Sequence, residues 1–168
     1  MVRGESNADD NYYVKYSASE RIWKETVKTG IDNTINNTTM PHALIRQSDG
    51  TFVFKALDWE PRETGDEDSN EVPSFINNTI NDLFFYRNRL GFLSGENIIL
   101  SSSSDLFNFW LQSVVDVQDD DTIDTNAPNN KVSILYNAIP FSGSLYIFSG
   151  QTQFALASDG TLSPKNAR

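Results

Sequence analysis

The chain has no cysteine among its 168 residues. That absence excludes disulfides, thiolate nucleophiles, zinc–thiolate centres and iron–sulfur clusters together. Long apolar runs are missing too, since no segment approaches the roughly 18 uninterrupted apolar residues of a membrane-spanning helix. The first ten residues are polar and acidic. The sequence therefore predicts neither a transmembrane helix nor a signal peptide.

Positive charge is scarce. Lysine and arginine number 13 against 23 aspartates and glutamates, for a net charge of −10. General attraction to nucleic acid or to an anionic membrane is not expected from this balance. Arg87 and Arg89 flank Asn88 near several aromatic residues. We predict that at least one of them ties down a carboxylate or backbone carbonyls between propeller-like blades or between subunits, because a planar guanidinium suits that task. A DNA contact is the less favoured alternative.

Residues able to carry catalysis are few. His42 is the only histidine, and it follows Pro41 with no orienting partner placed by the sequence. The hydroxyls of residues 101–104 are better explained as the end of a strand and the cap of a helix than as nucleophiles. Phosphate-loop, dinucleotide-binding and His-Glu-x-x-His patterns are all missing. We predict no catalytic residue, no metal site and no cofactor, and leave open only a carboxylate pair of the kind that hydrolyses glycosides.

Four aspartates lie within six positions, at Asp119, Asp120, Asp121 and Asp124. A calcium loop needs alternating acids, a glycine and a distant glutamate, and this run has no such spacing. A solvated acidic loop is the favoured interpretation.

Aromatic residues and short β patterns are what the sequence does have. Aromatics make up 12% of the chain, with eleven Phe, six Tyr and three Trp. Runs of aromatic and β-branched residues between turn signals predict strands, and Asp49-Gly50 between two such runs predicts a hairpin. The predicted strands cover residues 12–16, 22–27, 42–46, 51–55, 82–86, 90–93, 97–101, 132–136, 144–148 and 153–157. We expect a core of Phe84, Leu90, Phe92, Ile99, Leu145, Ile147 and Phe154.

The pattern divides the chain into three parts. Residues 1–60 form an N-terminal β-hairpin segment, and residues 61–73 form an acidic linker with proline and glycine breakers. Residues 74–168 repeat a strand–turn–strand design at 82–101 and 132–157, an interval typical of propeller blades. One short helix is predicted near 104–115, capped by Ser104 and with an apolar face. The predicted fold class is all-β, mainly antiparallel: a hairpin or sandwich segment followed by two propeller-like blades.

Several longer runs carry a resemblance to a known family: residues 65–70, 73–75, 79–82, 84–93, 96–101 and 107–109, with further matches at 23–25, 39–41, 138–141 and 149–154. In these runs the chain resembles the tail tubular protein B (tail nozzle) proteins of short-tailed bacteriophages. The run Phe-Phe-Tyr-Arg-Asn-Arg-Leu-Gly-Phe-Leu at 84–93 is the most specific of them. Family members are several times longer, so the resemblance is to an internal portion. They also usually carry Asp-Pro-Ile-Asp where this chain has Asp-Thr-Ile-Asp at 121–124.

The resemblance implies a structural component of the virion tail, made in the host cytoplasm and without enzymatic activity. It implies a six-fold ring below the adaptor, tail tubular protein A, around a channel through which DNA leaves without specific binding. Tail fibres are a further candidate partner, and no membrane is implied. The structural or intersubunit candidates are then Arg87, Arg89, Phe92, Phe107, Phe109 and Trp110, and the acidic channel-lining candidates are Asp119, Asp120, Asp121 and Asp124. The competing hypotheses are a receptor- or glycan-binding β module of a virion and a cell-wall hydrolase.

Overall fold

Antiparallel strands make up nearly all the regular structure. A computed structural model describes residues 2–3, 12–128, 132–157 and 160–167. In those ranges the only helix is a 3-10 turn at Asn37–Thr39. The strands are β1 (Val2–Arg3), β2 (Tyr12–Ser17), β3 (Ile22–Thr26), β4 (His42–Arg46), β5 (Phe52–Ala56), β6 (Ile80–Tyr86), β7 (Arg89–Ser94), β8 (Asn97–Leu100), β9 (Ile123–Asn126), β10 (Leu135–Phe141), β11 (Ser144–Ser149) and β12 (Gln153–Leu156). The all-β, antiparallel prediction is confirmed.

The strands form four sheets in simple sequence order: β1-β2-β3, β4-β5, β6-β7-β8-β9 and β10-β11-β12. Tight turns join the neighbours. Arg87 and Asn88 both have positive φ, 49° and 60°, between the paired residues Tyr86 and Arg89. Two left-handed residues in a two-residue turn match the twist of a β-hairpin. At the predicted Asp-Gly hairpin only Gly50 is left-handed, with φ 88°.

The central sheet β6–β9 is covered on both faces, so β7 is buried along its whole length. Side chains alternate across a strand. Leu90 and Phe92 therefore face one core, while Leu93 faces the other together with Ile98. The chain has two apolar cores, one on each side of a shared sheet.

The first core lies between the central sheet and the β10–β12 sheet. Leu135, Leu145 and Ile147 are fully buried there. Gly91 lets the ring of Phe84 lie against the β7 backbone, because a Cβ at this position would stand 2.3 Å from two ring carbons. Six of the seven predicted core residues are buried and Phe154 is half-buried against the first core, which confirms that prediction.

The second core is aromatic and is closed by loops instead of a sheet. Phe75, Phe109 and Trp110 come from irregular segments and pack on Phe92 and its neighbours. The rings of Phe92 and Phe109 stack with centroids 5.2 Å apart.

The helix predicted near 104–115 is wrong, because these residues form turns and bends. Ser104 has φ 65° instead of a capping conformation. Several backbone N–H groups of the segment bond to distant side chains instead of to carbonyls four residues back. Leu111 N donates to Asn70 Oδ1 at 3.1 Å, and Val114 N donates to Glu25 Oε2 at 3.1 Å. The helical apolar pattern there reflects loop residues that bury into the second core.

One predicted strand is shifted along the chain, and one strand of the central sheet was not predicted. The strand expected at 132–136 begins at Leu135 and runs to Phe141. Strand β9 was not predicted, because Ile123–Asn126 has the sequence Ile-Asp-Thr-Asn, with one large apolar residue and two polar residues of low β propensity. Along the described part of the chain, no helix has the length and apolar character needed to cross a membrane.

Candidate functional site

Arg89 is one of two charged groups that are buried among the predicted site residues, the other being Asp121. Arg89 opens β7, is 1% exposed, and donates hydrogen bonds only to main-chain carbonyls. Its five acceptors are the carbonyls of Ser101 (2.7 Å), Asp119 (3.0 Å), Asp120 (3.3 Å), Asp121 and Leu162 (3.2 Å). Burial lowers the pKa of Arg89, and the charges of Asp120 and Asp121 oppose that shift. The guanidinium stays charged and joins the central sheet to the acidic turn and the C-terminal segment.

The acidic turn presents its four carboxylates in different directions. Asp121 is fully buried, and its carboxylate accepts the N–H groups of Gln112 (3.1 Å) and Gln118 (2.7 Å). A side chain enclosed by its own chain cannot line a channel. Asp119 and Asp120 are exposed.

Asp124 is also exposed but has structural partners. It accepts hydrogen bonds from Ser74 N at 2.8 Å and from Asn97 Nδ2 at 3.0 Å. Of the four acids, Asp119 and Asp120 are therefore the two whose carboxylates face solvent without such ties to neighbouring loops.

Arg87 lies in the turn before β7 and is exposed. It donates to the carbonyls of Gly160 at 2.8 Å and Gly143 at 3.1 Å, and its guanidinium lies 5.4 Å from the centre of the Tyr86 ring. Because the chain turns at Arg87 and Asn88, Arg87 does not share a strand face with Arg89. Arg87 instead contacts the turns on either side of β11 and β12.

Three of the four aromatic candidates lie in the second core, and the fourth, Phe107, lies beside it. Phe92, Phe109 and Trp110 are at most 3% exposed, and Phe107 is half-buried with its ring 5.4 Å from Trp59. Trp110 Nε1 donates to the Glu60 carbonyl at 3.0 Å. These aromatic side chains therefore stabilise the fold of the chain itself.

A second buried arginine, Arg62, was missed by the sequence reasoning. It is 1% exposed and donates to the carbonyls of Asp66 (3.0 Å), Asn70 (2.8 Å) and Asp32 (2.6 Å). Its guanidinium lies 4.9 Å from the Trp110 ring centre, within cation–π range. The signal in the sequence was a single cation among seven acids at 58–73.

Asp66 organises the same segment. Its carboxylate accepts hydrogen bonds from Tyr13 Oη at 2.7 Å and from Ser69 Oγ at 3.0 Å, and Lys28 Nζ lies 3.6 Å away. Burial by itself raises the pKa of Asp66, but the hydrogen bonds from Tyr13, Ser69 and the Asp68 N–H outweigh it and hold this pKa at about 2. The acidic segment is thereby tied to β2 and to the residues after β3.

In the ranges that the structure describes, the candidate catalytic groups His42 and Ser101 both have structural partners. His42 Nδ1 lies 2.9 Å from the Met40 carbonyl, and the ring stacks on Phe54 at 5.1 Å. The Ser101 hydroxyl is fully buried and donates to the Ser102 carbonyl. Within those ranges no three metal-ligating side chains converge. The arrangement can hold loops and sheets together, and it presents acidic turns at the surface.

Comparison with known proteins agrees with a structural role. The family model described as "Bacteriophage nozzle protein" matches residues 1–168. The "Tail tubular protein gp12" of Escherichia phage T7 is 48% identical over 166 residues, which cover 99% of this chain and 21% of that protein. The chain thus spans about a fifth of the length of this relative.

Proposed function

We propose that this chain, which belongs to the bacteriophage nozzle protein family, is a structural component of a short-tailed phage's virion tail and forms part of the tube through which DNA is ejected. The observation that carries this proposal is the family match over the whole chain together with 48% identity to a T7 tail tubular protein. The chain spans about a fifth of that relative's length, so the role of the assembled nozzle is part of the proposal. The resemblance at residues 84–93 supports the finer assignment, an internal portion of a tail tubular protein B.

We infer further that six copies form a ring beneath the adaptor, tail tubular protein A. The two packed sheets, β6–β9 and β10–β12, are antiparallel and adjacent in sequence order. That arrangement is compatible with two neighbouring blades of a propeller completed elsewhere. The parts assigned from sequence, 1–60, 61–73 and 74–168, remain the proposed organisation.

The charge of the chain suits a conduit for DNA. Each contact between a cation and a phosphate would retain the polyanion, because binding releases counterions and gains free energy. Between residues 58 and 128 there are fifteen acids and three cations. Two of those cations, Arg62 and Arg89, are buried against carbonyls. Such a surface repels DNA, and no specific binding or catalysis is assigned.

The receptor- or glycan-binding alternative is not favoured. It would gain support if Tyr12, Tyr13, Tyr16 and Trp23 lined one open groove. Tyr16 and Trp23 do pair across β2 and β3 with ring centroids 5.4 Å apart. Tyr13, however, points to the opposite face of β2 and donates to Asp66.

A conditional nonsense allele of the gene tests the proposal. Particles assembled without the protein are expected to lose DNA ejection into host cells, and native mass spectrometry of the nozzle from normal particles is expected to give six copies. Normal ejection by particles that lack the protein would overturn the proposal.

A further inference from the structure

The hairpin β4–β5 exposes apolar side chains on both of its faces. On one face Leu44, Phe52 and Phe54 are 59–69% exposed, and on the other Ile45 and Val53 are 37% and 45% exposed. We call residues 42–56 the arm. A lone two-stranded hairpin is marginally stable in water. The arm therefore needs a covering surface in the assembled protein.

A second apolar surface lies on the outer face of the β10–β12 sheet. Ile139 and Tyr146 face each other across β10 and β11, with Phe141 and Phe148 on the same side. These four side chains are 36–69% exposed. We call them the uncharged face, because residues 132–157 contain no Asp, Glu, Lys or Arg in a chain that is 21% charged. Exposed aromatics without charge are typical of the core of a protein interface.

Charge decides which partner fits these two surfaces. Residues 1–168 carry a net charge of −10, so contact between two copies is more favourable through surfaces with few acids than through acidic ones. The arm carries Arg46 and Lys55 against the single acid Asp49, and the uncharged face carries none. Both surfaces meet this condition, because Asp49 at the tip of the arm is the one acid within residues 42–56 and 132–157. A second copy of the same chain can therefore cover them at little electrostatic cost.

The dimensions of the two surfaces also agree. Five residues per strand give an arm about 17 Å long and about 5 Å between strand axes. The uncharged face lies on β10, with seven residues, and β11, with six, in a sheet of three strands. A two-stranded ribbon fits across such a face at the roughly 10 Å spacing of packed sheets.

We propose that the arm of one copy packs on the uncharged face of the next copy. Two different patches of one chain make a head-to-tail contact, and such contacts close into rings when the rotation allows. The inference rests on the proposed function, because it supplies the contact that joins neighbouring subunits of the nozzle.

Paired cysteines in intact phage particles test this contact. The chain has no cysteine of its own, so Leu44→Cys in the arm and Tyr146→Cys on the uncharged face introduce defined thiols. Treatment with a short bis-maleimide is expected to give a ladder of covalent multiples of the protein. Each single variant controls for thiols elsewhere in the particle. The matched pair Leu44→Cys with Glu20→Cys, which is exposed in the β2–β3 turn, is expected to give no ladder.

The outcomes separate the contact from the proposed function. If the protein is present in the tail but the double variant stays at single-copy mass, or cross-links to a different virion protein, the contact is wrong and the proposed function stands. Absence of the unsubstituted protein from the tail overturns both. As a second readout, Phe54→Asp is expected to lower incorporation into particles at least about tenfold, whereas Asp49→Asn at the tip of the arm leaves it unchanged.

Discussion

Arg89 satisfies main-chain carbonyls from three separate segments at once, those of Ser101, the acidic turn and Leu162. Buried carbonyls without a donor are costly, and a planar fork of five N–H donors can serve several of them. The side chain therefore acts as a structural centre for loops that have no strand of their own.

Removing that centre is expected to be costly. Arg89→Met should lower the free energy of unfolding by about 3–5 kcal/mol, because the carbonyls stay buried and lose their donor. The free energy of unfolding of Arg89→Lys should lie between those of the wild type and Arg89→Met, since a lysine ammonium cannot reproduce the planar fork of the guanidinium. Urea denaturation measures the loss, with exposed Arg87→Met as the control at about 1 kcal/mol or less. Equal losses at both arginines would contradict this role.

Phe92 offers a test of the strand register. It is fully buried in the second core against Phe75, Phe109 and Trp59. Phe92→Ala should destabilise by about 3–5 kcal/mol, through lost transfer free energy and a cavity. Phe85→Ala, on the adjacent strand and 59% exposed, should cost under about 1 kcal/mol. If thermal or urea unfolding showed a larger loss of stability for Phe85→Ala than for Phe92→Ala, Phe92 would not face the second core.

Among the larger elements, the acidic segment 58–73 is held by buried polar contacts and not by apolar packing alone. Arg62, Asp66 and Asn70 are all at most 3% exposed. The segment also pairs with the residues that follow β3, since Lys28 N donates to the Gly65 carbonyl at 2.9 Å. The stability of this element should therefore depend on the ionisation of Asp66.

The pKa of Asp66 in the folded chain is about 2, below its ordinary 3.8. A depressed carboxyl pKa stabilises the fold above the unfolded pKa, and this contribution is lost as pH falls through the folded pKa. We expect the free energy of unfolding of the wild type to exceed that of Asp66→Asn by about 2 kcal/mol near pH 6. This difference should close between about pH 5 and pH 2. Urea unfolding across that range measures it. Exposed Asp68→Asn is the control for charge removal, and a gap that does not change with pH would argue against an ionised Asp66.

At the scale of the whole molecule, charge is unevenly distributed along the chain. Residues 12–57 carry six cations and four acids, whereas residues 58–128 carry three cations and fifteen acids. Residues 12–57 are therefore suited to contact with other copies of the chain, and the acidic residues 58–128 are suited to repelling DNA.

The proposed channel surface can be tested by reversing charge. Asp119→Lys combined with Asp120→Lys should slow DNA release from triggered particles severalfold at low salt, because two new phosphate contacts resist sliding. Raising the salt should restore the rate, which serves as the internal control. Asp119→Asn with Asp120→Asn should have a smaller effect. Unchanged release with the lysine pair would place these residues away from the channel.

Local patterns in the sequence determined much of the fold. Strand positions and the turn between the strands predicted at 82–86 and 90–93 follow from two-residue periodicity and turn chemistry, which act between neighbours. The same local logic failed at 104–115. A helical apolar spacing there was overridden because Asn70 and Glu25, far away in sequence, accept the backbone N–H groups of that segment.

The candidate site depended mostly on tertiary structure. The sequence marked Arg89 and the aspartates as candidates, but only the folded chain separates buried Asp121 from exposed Asp119 and Asp120. The fold also buries Arg62 inside the acidic segment, which the sequence analysis describes as a linker. A charge can be buried only where several acceptors converge, and those acceptors come from segments 30 or more residues apart for Arg89 and Asp119 or for Arg62 and Asp32. No local pattern records such a convergence, so the family resemblance and the strands were readable from the sequence, whereas the roles of individual charged residues were decided by the fold.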